Sequence, residues 1–383
     1  MVAIPLGWMQ LRHRKLRLLV ALTGIAFAVV LILMQLGFRS SLFESAVRYH
    51  DRFHYDLVVL STEMTFIVAP ETFSSRRLYQ ALGVAGVASV TPVYMSPALW
   101  KNPFDHSVRR IFTVGIDPAA DPLAAPGVRE HLDAIKERDV VLFDAKSRPE
   151  FGPVPERIRA GQAVETEVNG RRVEVAGLYE MGTSFGIDGS LLTSDTNFLR
   201  LFPNRARTQI DLGLVSLAPG ADREAVRKKI VALLPRDVRV LTKDEYAAAE
   251  VAYWNSTTPI GYVFSFGVII GIVVGSIIVY QILFADVQDH LPEYGTLKAM
   301  GYSNRYVSGV VLQQAVILSV LGFLPGLAAS AWLYRTAGAA TRLPLHLTPA
   351  RIGMVLLLTV GMCVISGLLA LRKVRALDPA DIF

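Results

Sequence analysis

Four stretches of the chain carry no Asp, Glu, Lys, Arg or His: residues 18–38, 251–285, 306–334 and 352–371. At about 1.5 Å per residue each is long enough, as a helix, to cross a hydrocarbon core of roughly 30 Å. The pattern changes between the first two. Residues 55–61 and 108–115 read as strands, 74–82 as a helix stopped by Gly83, and 163–177 as a hairpin turning at Asn169 and Gly170. A helix over 221–234 and a short strand over 238–241 follow. Thr242 and Glu245 have capping-box spacing at the start of a further helix, and Pro259 marks a kink or break. Residues 41–52 extend the first apolar segment as a helix. The predicted fold is therefore a membrane protein with four transmembrane α-helices and a large α+β extracytoplasmic domain carried on two helical stalks.

Composition agrees. Of 383 residues, 52% are hydrophobic and 19% charged, outside the range of an ordinary soluble domain. The net charge of +6 is unevenly placed: residues 39–259 hold 27 basic against 28 acidic side chains, so the excess flanks the apolar segments. That placement argues for membrane topology and against a nucleic-acid partner. Arg12, Arg14, Lys15 and Arg17 precede the first span, Lys298 and Arg305 lie between the second and third, and Arg372, Lys373 and Arg375 follow the fourth. These segments are assigned to the cytoplasm. Against them stand only three arginines in residues 335–351. The predicted organisation is a cytoplasmic segment (1–17), a first span (18–38) read as a retained anchor, a periplasmic domain with stalks (39–259) and a second span (260–285). A cytoplasmic coupling helix (286–305), a third span (306–334), a short periplasmic loop (335–351), a fourth span (352–371) and a cytoplasmic tail (372–383) complete it. Both termini are expected inside an inner membrane.

Candidate chemistry is sparse. The lone Cys363 excludes an intrachain disulfide or a cysteine-based metal site. No GxxxxGK[ST] loop occurs, so nucleotide hydrolysis falls to another polypeptide, and no cofactor or metal is expected in this chain. The spans lack ionisable groups, which disfavours ion-coupled transport; Gln35, Gln281, Gln313 and Gln314 are expected to bond between helices. Residues 182–186 match GxSxG, but Ile187, Asp188 and Gly189 continue as a turn where a nucleophile elbow needs a helix. Ser184 is read as part of a glycine-rich loop. His50 and His54 have the i,i+4 spacing of a metal pair without a clear third ligand, and are read as a solvated stalk face. Trp100, Trp254 and Tyr262 read as core or interfacial aromatics. Gly267, Gly271 and Gly275 form a smooth strip on the second span, open to intrachain packing or to a dimer interface.

Between the second and third spans, Pro292 suits a first helical turn and Gly301 a C-terminal stop, giving a short helix over 291–300. Glu293, Leu297 and Met300 share a face suited to a groove in another protein, while Lys298 points elsewhere.

With the residues in hand, the chain resembles FtsX/MacB-type ABC transporter permeases, and more closely the DevC subunits of DevBCA exporters. The resemblance rests on IPLGWMQLRHRKLRLLVALTGIAFAVVLILMQLGF near the start, WKNP at 100–103, VLFD leading to RPEFGP at 148–153, and GTSFGIDG from 182. It continues in STTPIGYVF from 256, DHLPEYGTLKAMGYS from 289 and the terminal DPADIF. It implies a MacB-like, type VII arrangement: a homodimeric, non-catalytic permease whose cytoplasmic helix (Glu293, Tyr294, Leu297, Met300, Gly301) docks a DevA-like ATPase dimer that binds ATP and Mg. A DevB-like membrane fusion protein and a TolC-like outer-membrane duct would complete a tripartite exporter for a glycolipid-like, lipidic or amphipathic cargo. The resemblance leaves two alternatives: an FtsX-like regulator of a cell-wall hydrolase, and a membrane-anchored hydrolase using Ser184.

Overall fold

The structure, a computed structural model, describes residues 15–375. The opening segment before Lys15 and the terminal DPADIF lie outside the described residues. Along the chain the elements are α1 (Lys15–Ala46), α2 (Arg48–Arg52), β1 (Leu57–Ser61), β2 (Phe73–Ser74), α3 (Ser75–Leu82), β3 (Val87–Lys101), β4 (Val108–Ile116) and β5 (Val140–Asp144). Then come α4 (Val154–Arg159), β6 (Val164–Val168), β7 (Arg171–Tyr179), β8 (Ser190–Ser194), α5 (Asp195–Leu201), β9 (Gln209–Ile210), β10 (Leu212–Leu217), α6 (Arg223–Leu233), β11 (Val238–Thr242) and α7 (Lys243–Ala252). A π-helical turn (Tyr253–Thr257) leads to α8 (Pro259–Asp289), α9 (Leu291–Ala299), α10 (Asn304–Thr341) and α11 (Pro349–Arg375). They fall into two units, one of residues 42–259 with 340–344, the other of the remaining helices.

In the first unit nine strands form one sheet in the order β11-β1-β10-β3-β4-β8-β5-β7-β6, and the end of the long β3 pairs again with β6 through Trp100–Val168 and Lys101–Glu167. Only β4–β8 and β5–β7 are parallel. All five residues of β1 are buried, because both faces of the sheet are covered. Leu57 and Val59 enter the core that takes Leu78 of α3 and Ile230 of α6, while Val58 and Leu60 enter the one that takes Tyr49 and Tyr246. Alternation along the strand therefore feeds two cores from four consecutive residues. By contrast β6 alternates strictly, Val164, Thr166 and Val168 inward and the two glutamates out, where Glu165 pairs with Arg172 and Glu167 with Lys101. The β6–β7 turn is where the sequence places it: Asn169 and Gly170 have φ of 51° and 75°, the double left-handed geometry of a type I′ hairpin.

Helix ends also follow local signals. Thr242 caps α7 with the full reciprocal box to Glu245. Thr258 is extended, as a residue before proline must be, and Pro259 opens α8, so the chain breaks there.

In the second unit, α1, α8, α10 and α11 are each long and apolar enough to cross a membrane. They close on one core through Ile25, Ala28, Val29 and Ile32 of α1, Leu283 of α8, Leu318 of α10 and Met362 of α11. The third of these helices runs to Thr341, so Arg335 stands on the helix and not in the loop expected over 335–351. Tyr334, 3% exposed, bonds the Leu33 carbonyl with its hydroxyl, tying α10 to α1. The glutamines divide. Gln314 is buried and bonded between helices, whereas Gln281 and Gln313 face outward, which corrects the expectation that all would bond within the bundle.

Candidate functional site

The short helix α9 is built as the sequence suggests and is fixed from one side. Pro292 occupies its first turn, and Gly301 ends it at φ 90°, a conformation that costs glycine nothing and other residues a Cβ clash. Tyr294 is 1% exposed and packs with Val287 of α8, Val311 of α10 and Leu371 of α11. This corrects its grouping with the partner-facing residues: Tyr294 anchors the helix from beneath. The opposite face carries Glu293, Thr296 and Met300, all exposed, Met300 by 62%. Leu297 and Lys298 lie outside the described side chains. Thr296 was missed by sequence reasoning, although its i+3 distance from Glu293 would have placed it on that face.

Beneath α9 the last turn of α8 holds a buried carboxylate. Asp286, 3% exposed, accepts a hydrogen bond from Gln314 Nε2 at 2.8 Å, and the ring of His290 lies 3.6 Å from its other oxygen. Three residues on, Asp289 pairs with Arg17 of α1 at 2.6 Å. The start of α9 is thus fixed to α1, α8 and α10 by polar contacts that a short helix could not supply alone.

The glycine strip of α8 faces inward. A Cβ on Gly267 would meet Gln35, one on Gly271 would meet Ile32 and Leu31, and one on Gly275 would meet Ala28 at 2.7 Å and Met362. All three glycines are buried against helices of the same chain.

In the unit of residues 42–259, His50 and His54 do not converge: His50 is 1% exposed, and His54 is exposed beyond the end of α2. The solvated face expected for the pair holds for His54 only. The His50 ring packs on Tyr246 with centroids 4.1 Å apart, and its Nε2 lies 3.8 Å from Glu250. Burial drives the His50 pKa down to about 3, helped by Lys243, so it is neutral. Glu250 of α7 accepts from Ile67 N and from Trp254 Nε1, both at 3.0 Å, and burial raises its pKa to about 7 despite these donors. Sequence reasoning missed this cluster because one charged residue in a helix gives no sign of facing inward.

Ser184 is 5% exposed and its Oγ accepts from the backbone N–H groups of Gly186 and Ile187. The hydroxyl closes a turn, and no helix follows within 185–189. The preceding residues are pinned by Asp144, whose fully buried carboxylate accepts from Met181 N, Gly182 N and Ser190 Oγ. Arg48 donates to Thr183 O at 2.9 Å, and its guanidinium stands where a Cβ on Gly182 would be.

Residues 18–233 match the MacB-like periplasmic core domain, and residues 265–379 match the C-terminal domain of FtsX-like permeases. No curated protein matches the chain. Among solved structures, the periplasmic region of MacB from Actinobacillus actinomycetemcomitans is similar at 13% identity, with 51% of this chain and 91% of that chain covered and a TM-score of 0.37. The extracellular domain of the noncanonic ABC-type transporter YknZ from Gram-positive bacteria is similar at 14% identity, covering 49% of this chain and 99% of that one, with a TM-score of 0.34.

Proposed function

This chain belongs to the FtsX/MacB permease superfamily and is an ABC-type transmembrane subunit that associates with an ATPase, and from that premise we propose that α9 is the element through which the ATPase drives it. In this reading α9 lies on the cytoplasmic side, consistent with the basic residues around the spans, and the α+β domain lies in the periplasm. Glu293, Thr296 and Met300, with Leu297, enter a groove of the ATPase. Closure of two ATPases on ATP and Mg moves α9; Tyr294 and Asp286 pass the displacement to α8 and α10, and the stalks carry it to the outer domains of a homodimer. The chain itself performs no covalent chemistry. A DevC-like role extends this reading: a membrane fusion protein and an outer-membrane duct would receive a lipidic or amphipathic cargo, glycolipid-like in class, expelled from the periplasmic side. The arrangement that supports the coupling step most directly is the two-faced α9, one face locked into the helical core and the other exposed.

The test is a pull-down of the ATPase with detergent-solubilised variants. Met300→Asp and Leu297→Asp put a carboxylate into an apolar contact and are expected to release the ATPase, a loss of a few kcal/mol at a buried interface. Lys298→Ala is expected to be mild. Wild-type ATPase capture by both aspartate variants would remove α9 from the coupling path.

A further inference from the structure

The outer domain contains a cleft of about 370 Å³ at the end of β5, within the size range of small-ligand sites. Four cationic side chains line it, Lys146, Arg148, Arg159 and Arg342, against two carboxylates, Glu156 and Glu180. Two of the cations are already matched: Lys146 bonds Glu180 at 2.7 Å, and Arg148 bonds Asp188 at 3.0 Å. Glu180, already bonded to Lys146, also feels the charge of Arg159, but neither Arg159 nor Arg342 makes an ion pair of its own within 4.0 Å among the described residues, and both are exposed.

The walls are set before any ligand arrives. Asp144 accepts from Lys146 N on one side and from Met181 N and Gly182 N on the other, which holds the turn after β5 beside the end of β7. Pro149, Pro153 and Pro155 stiffen the far wall, and Phe143 adds an apolar patch. Ser147 also lines the cleft, 6% exposed, its Oγ without a hydrogen-bond partner. Arg342 comes from a part of the chain remote in sequence, immediately after α10. Its φ of 58° is unusual for a residue with a Cβ, and its carbonyl is held by Thr183 Oγ1 at 2.9 Å. A non-glycine residue kept in this region is retained where the surroundings impose it, and such positions gather at ligand sites.

We propose that this cleft binds a phosphate-bearing anion, recognised by the guanidinium groups of Arg159 and Arg342. A carboxylate is satisfied by one guanidinium fork; two forks in one cleft, neither engaged by a bonded carboxylate, suit the three oxygens and double charge of a phosphate monoester. That chemistry is shared by an anionic lipid headgroup and by a soluble phosphate ester. The site does not depend on the coupling role of α9, since binding requires neither the ATPase nor cargo movement.

The full chain in detergent micelles is titrated calorimetrically with glycerol 3-phosphate, inorganic phosphate and, as a carboxylate control, acetate. Saturable binding of glycerol 3-phosphate is expected, weakened about tenfold or more in Arg159→Gln/Arg342→Gln. Partial binding should remain in the corresponding double lysine variant, and Lys229→Gln, an exposed charge on α6, should bind as wild type. The titration is then repeated in nanodiscs of phosphatidylcholine with or without phosphatidic acid. Loss of the signal only with phosphatidic acid identifies a lipid headgroup as the occupant, and an unchanged signal identifies the soluble ester; either supports the site. Absence of saturable binding by both phosphate compounds, acetate binding as tightly as they do, or wild-type affinity in a double glutamine variant with unchanged melting temperature would overturn it.

Discussion

Gln314 donates its carboxamide N–H to Asp286 at 2.8 Å, joining two apolar helices through a pair buried to within a few per cent. The bond sits directly below α9, and His290 at the turn into α9 bonds the Asp286 carbonyl with its ring nitrogen. A carboxylate in such a place is tolerated only while its acceptors are used.

Removing one partner should therefore cost more than removing both. Gln314→Leu leaves the buried carboxylate short of a donor and is expected to destabilise the helical unit by about 1–3 kcal/mol, whereas Gln314→Leu/Asp286→Leu should recover part of that loss. Melting of the purified protein in detergent decides it. A double variant less stable than Gln314→Leu would show that Asp286 is held chiefly by other contacts.

Glu250 makes stability depend on pH in an unusual direction. Its folded pKa of about 7 exceeds the ordinary 4.5, so between those values the folded chain binds more protons than the unfolded one. Its contribution is fully present below pH 4.5 and is lost as pH rises through about 7. His50, depressed to about 3, works oppositely and only below its ordinary 6.5, where acid favours the unfolded state. From pH 6.5 to 8 the glutamate acts alone of the two. Glu250→Gln, which keeps an acceptor for Ile67 N or Trp254 Nε1, should remove a stability loss on the order of 2 kcal/mol over the rise from pH 5 to pH 8. Thermal melts of both proteins at pH 5 and pH 8 measure this; parallel pH dependence in the two would refute the assignment.

Two glycines of the helical unit should respond oppositely to the same substitution. In a helix, alanine normally stabilises relative to glycine by roughly 0.5–1 kcal/mol. Gly361 has nothing within 4 Å of its would-be Cβ, so Gly361→Ala should be neutral or stabilising. At Gly275 the new methyl meets Ala28 Cβ at 2.7 Å, and a methyl group cannot swing aside as the tip of Met362 can. Gly275→Ala should therefore cost about 1–3 kcal/mol through separation of α1 and α8. Equal melting temperatures for the two variants would mean the helices are not in close contact there.

How much of this could be read from the chain depends on the range of the interaction that decides each feature. The four apolar helices, the Asn169–Gly170 turn, the Thr242 capping box, the break at Pro259 and the glycine stop at 301 are set by steric and hydrogen-bonding preferences within a few residues, and the sequence by itself determined them. What it could not determine was which face of a helix turns inward when both look alike. Tyr294 and Met300 are both large and apolar, yet Tyr294 is buried because Val311 and Leu371 meet it from other helices, and Met300 is left exposed. His50 and His54 look equivalent in spacing, and only the arrival of Tyr246 and Glu250 buries one of them. The glycine strip needed α1 beside α8 before its partner was fixed, and the cleft of the outer domain needed Arg342 brought to residues between Phe143 and Glu180. These outcomes depend on contacts between distant segments, whose pairing no local pattern encodes, so only the tertiary structure decided them.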